Sequence, residues 1–180
     1  MNSEEIYKCL KSNPDIRDHF LGVFSSNELP PKKTLDRETG KYLIVNYDHS
    51  SKPGSHWVAM RINPLGRVNI YFDSYGWPPF LPTFETYMDH HFRFNATQLQ
   101  HKFSTTCGQW CCYFIWNQIR GINTERMIKK LETFTQLEKD HIVNHFVETV
   151  FQTDQKVIDK VFLLKQISGR LQDNRGLSDV

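Results

Sequence analysis

The chain has 180 residues, of which 39% are apolar and 13% are aromatic. Its length is typical of one domain, and its aromatic content supplies enough bulk for a hydrophobic core, which excludes a disordered chain. The 22 Lys and Arg residues nearly balance the 20 Asp and Glu residues, so the formal net charge is only +2. This balance argues against a dedicated nucleic-acid-binding protein and leaves room only for a local basic patch. We expect a single domain over residues 1–180.

The four cysteines are placed unlike those of a disulfide framework. Cys107, Cys111 and Cys112 are clustered, and the last two are adjacent, which suits neither paired disulfides nor the C-x-x-C spacing of zinc sites. We therefore expect a reducing, intracellular setting and no metal site. The N-terminus has no basic stretch followed by an apolar run, and the longest apolar run, residues 110–116, is far too short for a membrane span. We expect neither secretion nor a membrane partner.

The first half of the chain alternates helical and extended patterns. Asn2 or Ser3 starts a helix in which Ile6, Tyr7 and Leu10 have helical spacing. Further along, the sequence predicts a short helix over 15–20, a loop over 25–41, and strands over 42–45, 56–62 and 68–73.

The strands at 56–62 and 68–73 are predicted to form a hairpin closed by a type I turn over 63–66, because Asn, Pro and Gly occupy the positions that such turns prefer. With that turn, Trp57 faces Phe72 on an apolar face. On the opposite face, His56 lies beside Asp73, with Cβ atoms about 5 Å apart. The pairing depends on the turn, because a slip of one residue moves each side chain to the other face of the sheet.

The second half of the chain is mainly helical. A helix is predicted over 83–91 and a strand over 94–99. The stretch from Cys107 to Trp116 is apolar nearly all round, which is typical of a helix buried in the middle of a domain. The sequence predicts three further helices, over 124–133, 136–152 and 154–167.

Cys107 is the candidate nucleophile. It lies at the first turn of the buried helix, where the helix dipole and free N–H groups favour a thiolate, and the polar residues 104–106 before it supply cap candidates. The alternative for any such cysteine is that it packs as a small hydrophobic residue. That alternative fits Cys111 and Cys112, which lie deeper in the helix.

A nucleophilic thiol needs an imidazole base and a group that orients it. Among eight histidines, His56 is singled out because Asp73 is predicted opposite it, although a surface pair at a strand end has the same pattern. The oxyanion of acyl transfer also needs donors. The Cys107 N–H is one of them. The residue types leave Gln98, Gln100 and Gln109 open as the second.

Four pieces of the chain, in the order His, Asp, Gln, Cys, carry a resemblance to a known family: G-S-H-W at 54–57, Y-F-D-S-Y-G at 71–76, Gln100, and T-C-G at 106–108. They are similar to the adenovirus-type cysteine protease, adenain, and to its wider relatives, the ubiquitin-like-specific proteases. The segment 20–24 is also similar to the adenain family. The order of the residues separates this group from papain-like enzymes, in which the cysteine comes first. The spacing from Gln100 to Cys107 and the adjacent cysteines at 111–112 favour the adenovirus branch.

The resemblance implies an α+β fold of the papain-like or adenain-like kind, with a small mixed β-sheet packed on a central helix that carries the nucleophile, and with further C-terminal helices. It implies Cys107 as nucleophile, His56 as base and Asp73 as the residue that orients the base. Gln100 and the Cys107 N–H then form the oxyanion hole, so the resemblance selects Gln100 among the three glutamines.

The chain also departs from the adenain pattern. Asp73 stands where adenoviral enzymes have Glu, whereas the ubiquitin-like-specific proteases also have Asp at this position. The stretch from Asp73 to Gln100 is shorter than in either group. Adenain is activated by DNA and by a capsid-derived peptide joined through a disulfide, but no cysteine stands at the matching position near Asp89. We therefore expect that the chemistry requires no cofactor, that no peptide is attached covalently, and that any DNA contact is weak.

The function that this resemblance implies is that of a cysteine endopeptidase of a DNA virus or related element, cleaving capsid or core precursor proteins near Gly-containing sites. It implies location in the virion and the host nucleus. One alternative is a deubiquitinating or deSUMOylating peptidase, because the same site fits a ubiquitin-like tail that ends in Gly-Gly. Another is a binding module that kept the fold without catalysis.

Overall fold

The computed structural model describes residues 1–32, 41–63 and 67–151. Within them, five strands form one mixed sheet whose spatial order follows the chain. The middle strand is antiparallel to the strand on each side of it, and each edge strand is parallel to its neighbour. The strands are β1 (Phe20–Ser25), β2 (Lys41–Asn46), β3 (Trp57–Ile62), β4 (Asn69–Phe72) and β5 (Phe92–Phe94).

Helices cover both faces of the sheet. The first five are α1 (Ser3–Ser12), α2 (Pro14–Arg17), α3 (Pro82–Tyr87), α4 (Cys107–Ile119) and α5 (Thr124–Lys129). A sixth, α6, begins at residue 136 and is described as far as residue 151. In the described ranges, no helix combines the length and the apolar character that crossing a membrane requires.

Two apolar clusters hold the helices to the sheet. On one face, residues such as Ala59 and Phe72 pack against α1, α4 and α6, and the Phe72 and Phe114 rings stack at 4.6 Å between centroids. On the other face, Val58 and Met60 pack against α3. Helix α4 is therefore central, as expected for an apolar helix, and the architecture is the predicted α+β fold with a small mixed sheet on a helix that begins at Cys107.

The N-terminal prediction is correct for α1 and wrong for the segment after it. Asn2 caps α1 through a reciprocal pair of hydrogen bonds with Glu5. The predicted helix at 15–20 is only one turn long, and Phe20 already belongs to strand β1, which the sequence analysis missed. Strand β1 pairs in parallel with β2, so a partner distant in the chain decides its conformation.

The β3–β4 hairpin forms, but the predicted register is wrong by two residues. Phe72 pairs with Ala59, where the turn-based prediction pairs Phe72 with Trp57. Side-chain hydrogen bonds at Asn63 lengthen the connection: its N–H donates to Asn69 Oδ1 and its amide donates to the Val68 carbonyl. The tip of the predicted turn, 64–66, lies outside the described residues. Because a shift of two residues preserves side-chain alternation, every strand residue keeps its predicted face.

Two elements after the hairpin also differ from the prediction. Helix α3 ends at Tyr87 instead of continuing to 91, because Asp89 and His90 adopt positive φ angles of 57° and 53°. The predicted strand at 94–99 is wrong, since β5 ends at Phe94 and the chain then turns inward. The helix predicted over 124–133 is shorter, and the helix predicted over 154–167 lies outside the described residues.

Candidate active site

Cys107 is the first residue of α4 and lies at the floor of a cleft of about 620 Å³. The cleft is open enough to leave 9% of the residue exposed. A Cβ at the next residue, Gly108, would approach the Ile6 Cδ1 atom to 3.0 Å and the Met1 Cβ atom to 3.2 Å, so glycine lets α1 pack close to the start of α4. Thr106 occupies the N-cap position, but its side chain makes no capping hydrogen bond.

The structure brings His56 and Asp73 together, although they are not opposed in the hairpin. Extending the observed register places Asp73 opposite Val58, two residues from His56 and on the same face of the sheet. The contact is therefore diagonal: His56 Nε2 lies 3.0 Å from Asp73 Oδ1. Asp73 is fully buried, and the side chain of His56 is nearly so.

The His56 imidazole also interacts with Cys107. Burial alone lowers the pKa of His56, but hydrogen bonds with Asp73 and Cys107 raise it to about 9. Burial raises the pKa of the Cys107 thiol, whereas the hydrogen bond from His56 and the N–H groups of Trp57 and Gly108 lower it. The lowering effects are larger, so the thiol pKa lies below its ordinary value. The two shifts favour a thiolate beside an imidazolium, which is the arrangement that cysteine acyl transfer uses.

Two tyrosine rings enclose the imidazole. The Tyr47 ring stacks on His56 with centroids 5.8 Å apart, and the Tyr75 ring lies 5.0 Å away from it. The Tyr47 hydroxyl is hydrogen-bonded to the hydroxyl of Tyr71 at 2.5 Å, which fixes its position. The aromatic rings thus restrict rotation of the His56 side chain and keep water from its bond with Asp73.

Asp73 is held by the chain segment that follows β5. Its backbone N–H donates to Asn95 Oδ1 at 2.9 Å, and Asn95 Nδ2 donates to its carbonyl at 2.6 Å. The backbone N–H of Tyr75 also donates to Asp73 Oδ1 at 2.7 Å. At Gly76, where φ is +75°, a Cβ would lie 2.6 Å from the Thr97 backbone, so only glycine fits there. These contacts fix the carboxylate that receives His56.

Gln100 lies in the cleft wall, as the resemblance implies, but its side chain is already engaged. Its Oε1 accepts from Ser74 Oγ at 2.6 Å, and its Nε2 donates to the Ser104 carbonyl at 2.8 Å and to Tyr75 Oη at 3.3 Å. The bond to Tyr75 is the weaker one. The N–H that makes it is therefore the donor available to an oxyanion, and the oxyanion role of Gln100 stays a prediction.

The other candidates lie elsewhere. Gln98 Nε2 donates to the Gln100 carbonyl at 3.0 Å, so it supports Gln100 from behind. Cys111 and Cys112 are fully buried in the core, and burial raises the pKa of both thiols well above the ordinary value. They are therefore core residues, as the sequence analysis proposed. In the described ranges, no cluster of His, Cys, Asp and Glu could hold a metal ion.

Two buried residues that support the site were missed by the sequence analysis. Asn95 acts on Asp73 across 22 residues, and Asp140 of α6 binds the loop before Cys107. Asn95 carries no local signal. For Asp140 a signal existed: it falls on the same face of the predicted helix as Val143 and Val147, so the apolar face contains one acidic residue.

No protein-family model matches this sequence, and no curated protein sequence does either. The structure is similar to that of ChlaDub1 from Chlamydia trachomatis, with a TM-score of 0.62 and 16% sequence identity, over 86% of this chain and 93% of that one. It is also similar to the ASFV pS273R protease, with a TM-score of 0.54 and 17% identity, over 80% of this chain and 66% of that one. The chain therefore has the α+β fold of the adenain-like and ubiquitin-like-specific cysteine proteases.

Proposed function

We propose that this protein is a cysteine peptidase. The observation that carries the proposal is the chain of contacts from Asp73 through His56 to Cys107, at the floor of an open cleft. The pairing of the two groups lowers the thiol pKa, and the same pairing acts together with Asp73 to raise the imidazole pKa. A purely structural cysteine has no use for such a partner, as the raised pKa values of Cys111 and Cys112 illustrate.

The proposed reaction is acyl transfer through a thioester. The Cys107 thiolate adds to the scissile carbonyl, and the negative charge that develops on oxygen is met by the Cys107 N–H and by Gln100. The C–N bond then breaks while His56 gives its proton to the leaving amine. Water, deprotonated by His56, hydrolyses the thioester and releases the acyl half as a carboxylic acid. Asp73 keeps the imidazole oriented throughout.

These steps require only side chains and backbone N–H groups, so we propose that the chemistry needs no metal or organic cofactor. Activation by DNA or by a peptide is a separate question. We propose that neither is obligatory, because the groups of the site are already in contact in the chain alone. Addition of DNA or of a capsid-derived peptide to a peptide-cleavage assay tests this directly.

As the substrate we propose capsid or core precursor proteins of a DNA virus or related element, cut near glycine, with the enzyme located in the virion and the host nucleus. The sequence resemblance to adenain supports this reading, and the likeness of fold to the ASFV protease is consistent with it. Glycine near the scissile bond suits a cleft in which the nucleophile is only slightly exposed.

The second candidate is a deubiquitinating or deSUMOylating peptidase. The likeness to ChlaDub1, a deubiquitinase, favours it, because it extends over nearly all of that chain and has the higher TM-score. Asp73 also matches the ubiquitin-like-specific proteases rather than adenain. Both candidates use the same catalytic groups and differ in what occupies the cleft.

The deciding experiment compares two kinds of substrate on one enzyme. Internally quenched peptides with Gly-Gly before the cut are assayed beside ubiquitin and SUMO probes that carry a thiol-reactive C-terminus. Cleavage of peptides without labelling by the protein probes supports the endopeptidase, and rapid labelling supports the second candidate. Cys107→Ser removes both signals, whereas Cys9→Ser on α1 retains them. If the folded wild-type protein gives neither signal, the chain is a binding module.

A further inference from the structure

An exposed row of aromatic rings leads away from the candidate active site. We call Tyr75, Trp77 and Phe80 the aromatic ledge. The Tyr75 ring lies 5.0 Å from the His56 ring, the Trp77 ring 5.0 Å from Tyr75, and the Phe80 ring 5.9 Å from Trp77. Trp77 is 50% exposed and Phe80 is 61% exposed. Large aromatic side chains seldom stand in a row on a protein surface unless the surface binds something.

The ledge is apolar and rigid. The segment 76–82 contains three prolines and no charged residue. A backbone hydrogen bond joins Phe80 to the hydroxyl of Tyr47, which itself stacks on His56. A surface that is already fixed loses little conformational entropy on binding, so its aromatic area contributes to affinity with little cost. Its chemistry favours an apolar side chain over an acidic one.

The position of the ledge identifies the part of the substrate that reaches it. The cleft over Cys107 runs past Trp57 to the residues of β1 and of the 48–55 loop, and it includes Tyr75 but neither Trp77 nor Phe80. The ledge therefore leads from the imidazole ring, by way of Tyr75, to a surface outside this cleft. His56 gives its proton to the leaving amine, so the half of the substrate that departs lies next to this ring. Tyr75 covers that ring.

We propose that the aromatic ledge binds an apolar side chain in the leaving half of a peptide substrate, within the first three residues after the scissile bond. The distance from His56 to the ledge limits which substrate residue can contact it. Two ring-to-ring distances of 5.0 Å separate His56 from Trp77, and an extended chain covers about 3.3–3.6 Å per residue. This inference rests on the proposed peptidase function and refines its specificity. It favours a peptide substrate over an isolated isopeptide-linked lysine, whose side chain offers less apolar area.

The test uses two substrates that share one acyl half. The first ends in a small fluorogenic amine and has no residue beyond the cut. The second is a quenched peptide with Phe or Asp at the second or third position after the cut. In the wild-type enzyme, Phe raises kcat/KM over Asp by about 10-fold, the effect of one aromatic contact. Trp77→Ala removes most of this preference through KM, and Phe80→Ala removes part of it.

The matched control is Phe134→Ala, an aromatic residue 41% exposed between α5 and α6, which leaves the preference intact. Equal kcat/KM values for the Phe and Asp peptides in an active wild-type enzyme overturn the inference and leave the proposed function standing. An equal loss of kcat/KM on the fluorogenic substrate and on the Phe peptide in Trp77→Ala also overturns the inference. The Trp77 ring then only supports the position of His56. If Trp77→Ala instead converts a dimer to a monomer in sedimentation, the ledge binds a second copy. Failure of the wild type to cleave either substrate, together with no labelling by the ubiquitin and SUMO probes, removes the proposed function itself.

Discussion

Asp140 of α6 accepts a hydrogen bond at 2.8 Å from the hydroxyl of Thr106, the residue immediately before Cys107. The same Oδ1 atom accepts from Trp110 Nε1 at 2.8 Å, and Oδ2 accepts from the His101 N–H at 3.0 Å. One buried carboxylate therefore holds both ends of the 101–106 loop and the first turn of α4. A helix at the C-terminal end of the described chain thus helps to set the position of the thiol.

We expect Asp140→Asn to lower kcat by at least about 10-fold, with little change in KM, and to destabilise the protein by about 1–3 kcal/mol. All three partners of this side chain are donors, so an amide must place its NH₂ group against one of them. Chemical unfolding measures the loss of stability. Because the thiol position changes, the rate of Cys107 alkylation at fixed pH falls as well.

The exposed surface carboxylate Asp18 provides the control, since Asp18→Asn leaves turnover and alkylation unchanged. The role assigned to Asp140 is wrong if Asp140→Asn retains wild-type turnover and alkylation. A loss of stability alone does not support a role in positioning the thiol.

Cys107 is expected to be the first cysteine that iodoacetamide modifies in the native protein. Its thiolate is favoured by His56, whereas Cys111 and Cys112 are buried and carry raised pKa values. Peptide mass spectrometry after brief labelling identifies the modified residue, and activity is lost in step with the label. Modification of Cys111 ahead of Cys107 contradicts the assignment.

Cys107→Ser lowers turnover by at least about 10³-fold with the fold retained.

The pH dependence of kcat/KM is expected to report both shifted groups. Activity rises as Cys107 forms its thiolate, at a pH below the ordinary thiol range, and falls near pH 9 as His56 loses its proton. Asp73 raises the pKa of His56, so Asp73→Asn moves the upper limb down toward about 6.5, the ordinary histidine value. Initial rates from pH 5 to 10 measure this shift. Asp48→Asn, in the cleft wall, keeps the upper limb in place.

Gln100→Glu is expected to lower kcat by about 10²-fold with little change in KM. The substitution keeps the shape of the side chain but replaces an N–H donor with a charge that repels the oxyanion. Glu at this position also faces the Ser104 carbonyl, which accepts from Gln100 Nε2 in the structure. Steady-state kinetics and an unfolding curve separate the loss of chemistry from the loss of stability.

Gln98 is unsuitable as the control for this experiment, because its amide contacts the Gln100 carbonyl. Gln136, at the start of α6, is a better choice, and Gln136→Glu keeps the wild-type kcat. Normal turnover in a folded Gln100→Glu variant means that another donor stabilises the oxyanion.

The elements predicted correctly from the sequence are those whose patterns are local. Helix α1 has a capping pair and an amphipathic face, and α4 is apolar all round, so neither depends on a distant partner. Strand β1 was missed because its pairing with β2 spans the 25–41 segment, which no local pattern reveals. The hairpin register failed for a related reason: the turn residues predicted the connection, but side-chain hydrogen bonds of Asn63 and Asn69 altered it.

Within the site, the structure brings together three of the residues proposed from the sequence, Cys107, His56 and Asp73. Few residues of the chain can supply a thiol at a helix start or an imidazole with a carboxylate nearby. The family resemblance can therefore select among them. Asn95 and Asp140 are different, because any polar residue at the right place would serve and their partners are 22 and 34 residues away. Supporting contacts of this kind follow from tertiary structure and leave only weak marks in the sequence.

The mutual hydrogen bonds of Asp73 and Asn95, with Gly76 pressed against Thr97, close the chain between them into a loop with a fixed base. The stretch 77–94 leaves and returns at this base, and it carries Trp77 and Phe80 of the ledge at its start. Phe84 and Met88 anchor the middle of the stretch in the core, whereas Trp77 and Phe80 at its start are exposed. Exposed side chains at the start of the stretch can therefore be exchanged without moving Asp73, so the surface beside the cleft can change while the contact between Asp73 and His56 stays the same.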